Sequence, residues 1–521
     1  MSVKVQIVKR LESLKTSLEL DDYDIIDMHI MKLKKENNDN LKEIISMVEQ
    51  KVEDEKVVKL IDDYIYGYKD SKLTPHQQEV FDNVVNEFNN ILSEYIDISD
   101  KNVPSNNFIV LSGFAGVGKT FLTSKLIQKF IAQEYKILLT TPTHKSLHVA
   151  KYMLNSQNVR VNARTLQSYL DIKLNTNYLT GTKSFQRARN QSQMDFEKNL
   201  DILIVDESSM VSNELFKFIE ENLEQNKLKT VLFIGDEYQL PPVNNNNDDK
   251  ALNAVVELPK QYKLTQVVRQ AKDSYIKMIA VIVKDCIKNN SYIPINEILN
   301  QSKYPMLEIF NEEKSFIESF TSTTKWWEED KIILSFTNDE VDEFNRTVRY
   351  KSWIDQNITP NNAIIPGDIL VFNEGYKRTF QNSETITVSY ANILYDNNLD
   401  IYYYTCKDIL GRSFKVIEPD DISKYINHLE LIKNEAKIAK ENNDDMLRRK
   451  KWKYYFTLKE EYAELKYKYA STMHKAQGST YNTVYIDVAS IIGLSVHNKN
   501  LAFRLLYVAI TRASKNIKIL L

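Results

Sequence analysis

The chain is predicted to be an α/β protein with more than one parallel-sheet unit, an inserted β-hairpin, a small β-barrel and an N-terminal helical extension. Three observations predict this. An apolar run, Phe108 to Leu111, leads into G-x-x-x-x-G-K-T (Gly113, Gly118, Lys119, Thr120). Leu122, Leu126, Ile127 and Phe130 then follow at helical spacing, which completes strand, glycine loop and helix. A second apolar strand, Asp201 to Val205, ends in the acid pair Asp206-Glu207, and a third spans Thr230 to Ile234. From Lys331 the pattern repeats: Ile332 to Phe336 as a strand, Thr337 to Asp339 as a cap, and Val341 to Tyr350 as a helix. At 521 residues the chain is too long for one core, so three or four domains or subdomains are expected.

Composition narrows the class. Hydrophobic content of 43% and charged content of 27% describe an ordinary soluble globular protein. A net charge of −3 carries no global signal for nucleic acid, so a binding path has to come from local patches. The two cysteines, Cys286 and Cys406, lie far apart without metal spacing, which fits a reducing compartment and excludes a disulfide framework. No apolar run reaches membrane-spanning length, and the first residues lack the apolar core of a signal peptide.

Residues 1–70 read as helical and charged. Asn40 is a candidate cap, and Leu41, Ile44, Ile45, Val48 and Val52 form one apolar stripe. The stripe needs a partner, either the rest of this chain or another protein. Thr74 and Pro75 then mark a helix start. Gln77 carries both a donor and an acceptor suited to an adenine edge, although a capped helix explains the same residues.

The glycine loop supplies the first chemistry. Backbone N–H groups around Gly113, Gly116 and Gly118 can wrap an anion, helped by the positive end of the following helix. Lys119 is expected to reach the β- and γ-phosphates of a nucleoside triphosphate, and Thr120 to hold Mg²⁺ through its hydroxyl. Phe121 flanks the same site. Read alone, Asp206-Glu207 also fits a helix N-terminus. Downstream of a phosphate loop, Asp206 becomes a metal-holding residue and Glu207 the group that orients and polarises the attacking water. Gln239, in G-D-E-Y-Q-L-P-P-V, is placed to sense the γ-phosphate, and Arg269 and Arg512 are candidate neutralisers of transition-state charge.

Other stretches carry weaker signals. The strand Ile137 to Thr141 ends in polar Thr143-His144-Lys145, at the sheet edge where open α/β folds bind ligands. Residues 171–199 break the pattern: Tyr178 to Thr182 resembles a hairpin tip, followed by the basic stretch Lys183 to Arg189. Residues 359–466 contain Pro366-Gly367-Asp368 and alternating β-prone segments, the barrel. Within them Asn427 to Lys466 reads as a charged helical hairpin with solvated faces. The last apolar strand runs to Leu521, so no C-terminal docking peptide is expected.

Taken in order, G-D-E-Y-Q-L-P-P-V, T-M-H-K-A-Q-G-S-T (Thr472 to Thr480) and Y-V-A-I-T-R-A (Tyr507 to Ala513) resemble superfamily 1 DNA helicases of the B branch, the RecD/Dda-like group. The likeness spans Leu73 to Arg512; residues 1–70 fall outside it. It implies two RecA-like P-loop domains, 71–265 and 266–358 with 467–521, with ATP between them. The barrel would be Src-homology-3-like and the hairpin a strand-splitting pin with Tyr178 or Leu179 at the wedge. Gln477 and Gly478 would border the phosphates. Thr143, His144, Lys145, Thr165, Thr472 and His474 would contact single-stranded DNA, although His474 also fits a purely structural role. The implied activity is ATP-driven 5′ to 3′ movement and unwinding of forked duplex by a monomer in bacterial or phage-infected cytoplasm. Replication or recombination proteins would dock on residues 1–70. A DNA-gated ATPase without processive unwinding and an RNA helicase are the alternatives.

Overall fold

The computed structural model describes residues 72–521 apart from 95–106, 156, 158, 188–198, 226, 242–253, 267–274, 301–302, 356–362 and 378. The expected N-terminal helices with their apolar stripe, and Arg269, lie outside the described residues.

The chain enters through helix α1 (Pro75–Glu94). A reciprocal capping box starts it: Thr74 Oγ1 accepts from the Gln77 N–H at 3.2 Å, and Gln77 Oε1 accepts from the Thr74 N–H at 3.1 Å. Six parallel strands follow: β1 (Phe108–Gly113), β2 (Ile137–Thr141), β3 (Asn162–Thr165), β6 (Leu200–Val205), β7 (Leu228–Gly235) and β8 (Gln261–Leu264). Their order is β3-β2-β6-β7-β1-β8. The register pairs Ile109 with Leu232 and Leu139 with Ile204. The four central strands, β2, β6, β7 and β1, are largely apolar on both faces because both are covered, whereas the edge strands β3 and β8 are more polar. Ile109, Leu111, Ile202 and Ile204 meet Leu122 and Leu126 of helix α2 (Lys119–Ala132). Their neighbours Phe108, Val110, Leu203 and Val205 meet Phe216 and Ile219 of helix α4 (Asn213–Glu224). Helix α3 (His144–Asn155) connects β2 to β3.

Between β3 and β6 stands an antiparallel hairpin, β4 (Ile172–Asn177) and β5 (Thr182–Arg187). Most of the basic stretch expected after the hairpin is strand β5. Arg187, at its end, pairs with Glu221 of α4 at 2.8 Å.

Helix α5 (Tyr275–Asn289) leads to a second all-parallel sheet. Its strands are β9 (Glu308–Phe310), β10 (Lys331–Ser335), β16 (Ala470–Thr472), β17 (Tyr481–Asp487) and β18 (Ala513–Leu520), in the order β16-β10-β17-β18-β9. Helix α6 (Asn338–Asp355) starts on a second capping box, Thr337 with Glu340, and runs longer at both ends than the apolar spacing alone implied. Helix α9 (Lys499–Thr511) is apolar almost all round and lies within a core shared by both sheets.

The insertion between α6 and β16 is antiparallel: β11 (Ile369–Phe372), β12 (Thr385–Asp396), β13 (Ile401–Asp408), β14 (Ser413–Ile417) and β15 (Leu465–Tyr467). They run in the order β14-β13-β12-β11-β15. The Ala463 N–H, just ahead of β15, donates to the Lys415 carbonyl of β14 at 2.7 Å. The outer strands are thereby drawn together around Phe372, Phe380, Tyr404 and Phe414, in the manner of a small barrel. A buried ion pair, Arg349 of α6 with Asp368, fastens this unit to the second sheet. From it projects a pair of helices, α7 (Ile422–Glu441) and α8 (Asp445–Lys459). The first begins before the expected Asn427, where Pro419 fixes φ at the entry turn.

Candidate nucleotide cleft and single-strand groove

The loop between β1 and α2 is shaped by its glycines. Gly116 (φ 85°) and Gly118 (φ 84°) adopt left-handed backbone that side chains resist, and Gly118 caps α2. Lys119 Nζ folds back to donate to the Gly113 carbonyl at 2.5 Å and lies 3.9 Å from Asp236 Oδ2. Thr120 follows at the helix start, half-buried. Gln77 is not turned toward a base: its Oε1 serves the capping box and its Nε2 donates to the Val117 carbonyl at 3.0 Å. The amide expected to read adenine therefore braces the phosphate loop from below, because a capping box fixes its rotamer.

Asp206 and Glu207 follow β6. The Asp206 carboxylate accepts from the Glu207 N–H at 2.8 Å, and Glu207 sits at φ 52°, an uncommon conformation for a non-glycine residue. Burial, then the neighbouring Glu207 charge, push the Asp206 carboxyl up to about 7. Lys119 opposes this rise, and a divalent cation would oppose it further. Among the described residues no three His, Cys, Asp or Glu side chains converge into a metal cage. A Mg²⁺ ion here would therefore share Thr120 and Asp206 with the nucleotide's own phosphates.

Three sets of contacts in the cleft go beyond the roles read from the motifs. Asp236, almost wholly buried after β7, accepts from the Tyr507 hydroxyl at 2.7 Å, and that hydroxyl in turn accepts from the Ala115 N–H at 3.0 Å. Burial raises the Asp236 carboxyl, and nearby Lys119 and the Tyr507 hydroxyl oppose the rise. Arg504 Nη1 donates to the Glu237 and Gln239 carbonyls at 2.6 and 2.7 Å. Lys277 of α5 packs its aliphatic end against Gly116, and burial lowers its ammonium from the usual lysine range. Arg504 and Tyr507 lie one turn apart on α9, so one helix of the second unit holds both phosphate-side loops of the first.

The predicted residues sit around this core. Gln239 is buried and its Oε1 has no partner among the described residues. Gln477 Nε2 donates to the Leu240 carbonyl at 3.3 Å. Gly478 (φ 71°) packs against Ser146 of α3, and Phe121 is half-buried at the start of α2. Arg512 lies close enough to the cleft for its charge to lower the Asp236 carboxyl. Its guanidinium donates to the Val508 and Ser479 carbonyls and to Thr511 Oγ1, so it is tied within its own unit. Among the described residues, Arg504 is an arginine that hydrogen-bonds across to the first unit.

The residues expected to touch DNA divide in two. Thr165 and Thr472 are buried and act as caps, accepting from the Ser168 and Lys475 N–H groups. Thr143 likewise accepts from the Ser146 N–H at 3.1 Å. The turns and helices that start after these strands have free N–H groups, and these hydroxyls accept from them. Lys145 reaches across the two units to the Tyr481 hydroxyl at 3.0 Å, its ammonium also over that ring. These two, with Thr472, Lys475, Lys466 and Asn373, line a groove of about 380 Å³ between the second sheet and the barrel. His144 and His474 are half-buried, and burial holds both imidazoles below the usual histidine range, neutral near pH 7. Tyr178 and Leu179 project from the hairpin tip, 38% and 41% exposed. Tyr178 meets Phe456 of α8 edge-on at 6.1 Å.

Two family models match the chain: an AAA domain over residues 101–288 and a UvrD-like helicase C-terminal domain over residues 467–519. The chain is 26% identical over 488 residues to the uncharacterized protein R530 of Acanthamoeba polyphaga mimivirus, covering 80% of this chain and 96% of that protein. It is 24% identical over 438 residues to the ATP-dependent DNA helicase dda of Enterobacteria phage T4, covering 78% of this chain and 93% of that protein. Among solved structures, the Pif1 helicase from Candida albicans aligns over 86% of this chain and 94% of that chain, at 16% identity and a TM-score of 0.45. With the phosphate loop, the acid pair and the two matched domains in one order, the chain is similar to the Pif1/Dda-like group of superfamily 1 helicases.

Proposed function

We propose that the chain is an ATP-dependent motor that moves 5′ to 3′ along single-stranded DNA and separates forked duplex, in replication, recombination or repair. The observation that carries the reading is the Tyr507 hydroxyl, which joins the second unit to the phosphate loop at Ala115 and to Asp236. ATP bound at Gly113 to Thr120 then touches a surface completed by the other unit. Lys119 would leave the Gly113 carbonyl for the phosphates, Glu207 would orient and deprotonate the attacking water, and the Gln239 Oε1 would accept from it. Mg²⁺ held by Thr120 and Asp206 would neutralise phosphate charge. Loss of the γ-phosphate loosens the cleft, and the groove lined by Lys145 and Tyr481, which spans both units, changes shape with it. Sequence-tolerant stacking and phosphate contacts fit such a track. The direction 5′ to 3′ follows the family resemblance.

A forked-substrate assay tests this. Duplexes with a 5′ tail should be unwound and those with only a 3′ tail left intact, with ATP turnover stimulated by single-stranded DNA. The reverse tail preference overturns the direction; turnover indifferent to DNA overturns the motor. Residues 1–70 are proposed as an accessory docking segment, so unwinding should survive their deletion.

A further inference from the structure

We propose that the outward face of α8 grips the phosphate backbone of the duplex ahead of the fork, an inference that rests on the motor reading above. Helix α8 carries six basic side chains, Arg448, Arg449, Lys450, Lys451, Lys453 and Lys459, against a single acid, Asp445. The chain as a whole is slightly acidic, with a net charge of −3, so this is a local concentration of positive charge. Three of the six are used within the fold or half-buried: Lys451 pairs with Glu435 of α7 at 2.7 Å, Arg448 leans on Asp445 at 3.6 Å, and Lys459 lies partly covered. Arg449, Lys450 and Lys453 are exposed, and among the described residues they make no ion pair. Positions 446, 449, 450, 453, 454 and 457 share one side of the helix, all exposed, so the three cations stand together with Tyr454 beside them.

Helix α7, packed against α8, has no such imbalance. Its four lysines are set among Glu430, Glu435 and Glu441, and Lys433 is paired with Glu430 at 2.8 Å. A merely solvated arm would be mixed in this way on both helices.

Position favours duplex over single strand. Helix α8 itself is next to the hairpin tip, through a side flanking the basic face: Phe456 meets the Tyr178 ring, and Gly181 lies directly under Trp452, where a Cβ would come within 2.3 Å of the indole. No residue of α8 lines the Lys145–Tyr481 groove. Where the tip parts the strands, α8 therefore meets the fork at the tip and outside the single-strand track. Arg449 and Lys453 are one turn apart, about 6 Å along the helix axis. That is close to two nucleotide steps of about 3.4 Å each, so both can face one strand.

The test replaces Arg449, Lys450 and Lys453 with alanine in the full chain. Affinity is measured over a salt series for a 5′-tailed fork and for its tail alone, alongside ATP turnover on single-stranded DNA. The expected result is roughly a tenfold or greater loss of fork affinity, with the slope of log affinity against log salt reduced by up to about 2.7, near 0.9 for each phosphate no longer neutralised. Tail affinity and ATP turnover should stay within about twofold, and Arg449→Lys should retain fork binding. Unchanged fork affinity and slope overturn the proposal, as a face for an acidic protein would produce; equal loss on fork and tail overturns it too. Failure of the motor reading shows separately, as wild-type ATP turnover that ignores DNA.

Discussion

The phosphate loop and the hairpin tip are both short turns that depend on glycine, yet they are held in opposite ways. Gly116 and Gly118 shape the loop through their own backbone, and α2 follows at once to present its N-terminal N–H groups. The strand that leads into it, β1, is buried on both faces, and Tyr507 reaches the loop from the second sheet. Gly181 (φ 72°) is required for a second reason: the Trp452 ring, far along the chain, occupies the space a side chain would fill. The loop's shape is local and its completion is remote, whereas the tip's shape is itself partly remote. A perturbation in the cleft should therefore stop chemistry, while one at the tip should separate chemistry from unwinding.

Lys119→Ala gives the largest effect. Its ammonium is the cation nearest both the Gly113 carbonyl and Asp236, and removing it should cut ATP turnover by on the order of 10²–10³-fold or more, with unwinding lost in parallel. Turnover within tenfold of wild type would mean that Lys277, packed on the same loop, carries the phosphate charge instead.

Tyr507→Phe is subtler. The ring keeps its packing, but the Ala115 N–H and Asp236 each lose a partner in a buried place, a loss worth about 1–3 kcal/mol. The expected outcome is roughly a tenfold fall in kcat for ATP at saturating DNA, with the melting temperature lowered by a few degrees at most. An unchanged kcat would show that the bridge only packs the two units together.

Gly181→Ala should be the mildest and the most diagnostic. A left-handed alanine costs about 1–2 kcal/mol, and its Cβ collides with Trp452, so the tip must lift from α8. ATP turnover on single-stranded DNA should stay within about twofold while the unwinding rate falls several-fold. Equal loss of both would erase the distinction between the two turns.

How far the sequence reaches can be argued from particular residues. The loop, the acid pair and the apolar strands were legible because each is written in contiguous residues: glycine spacing, a run ending in carboxylates, alternation of core-facing positions. The parallel order of the sheets follows from strands that are apolar on both faces. Arg512, Thr165, Thr472 and Gln77 show the limit. Each has the right residue type at the right motif position, but its hydrogen bonds go to caps and neighbouring carbonyls, and side-chain direction depends on the packed rotamer. Arg504 and Tyr507 show the converse. Tyr507 opens the Y-V-A-I-T-R-A motif, yet the motif does not say what its hydroxyl touches, and nothing local marks Arg504; both become part of the cleft only when the second sheet docks against β1 and β7 and presents that turn of α9. The basic run on α8 was visible as a string of charges. That three of them stand unpaired beside the hairpin tip is a consequence of the α7–α8 packing and the Trp452 contact. Sequence alone therefore determined the nucleotide-binding loop, the acid pair and the α/β class, since these rest on backbone conformation and burial over short spans. Tertiary structure decided which side chains cross the cleft, and which charges of α8 are left exposed and unpaired among the described residues.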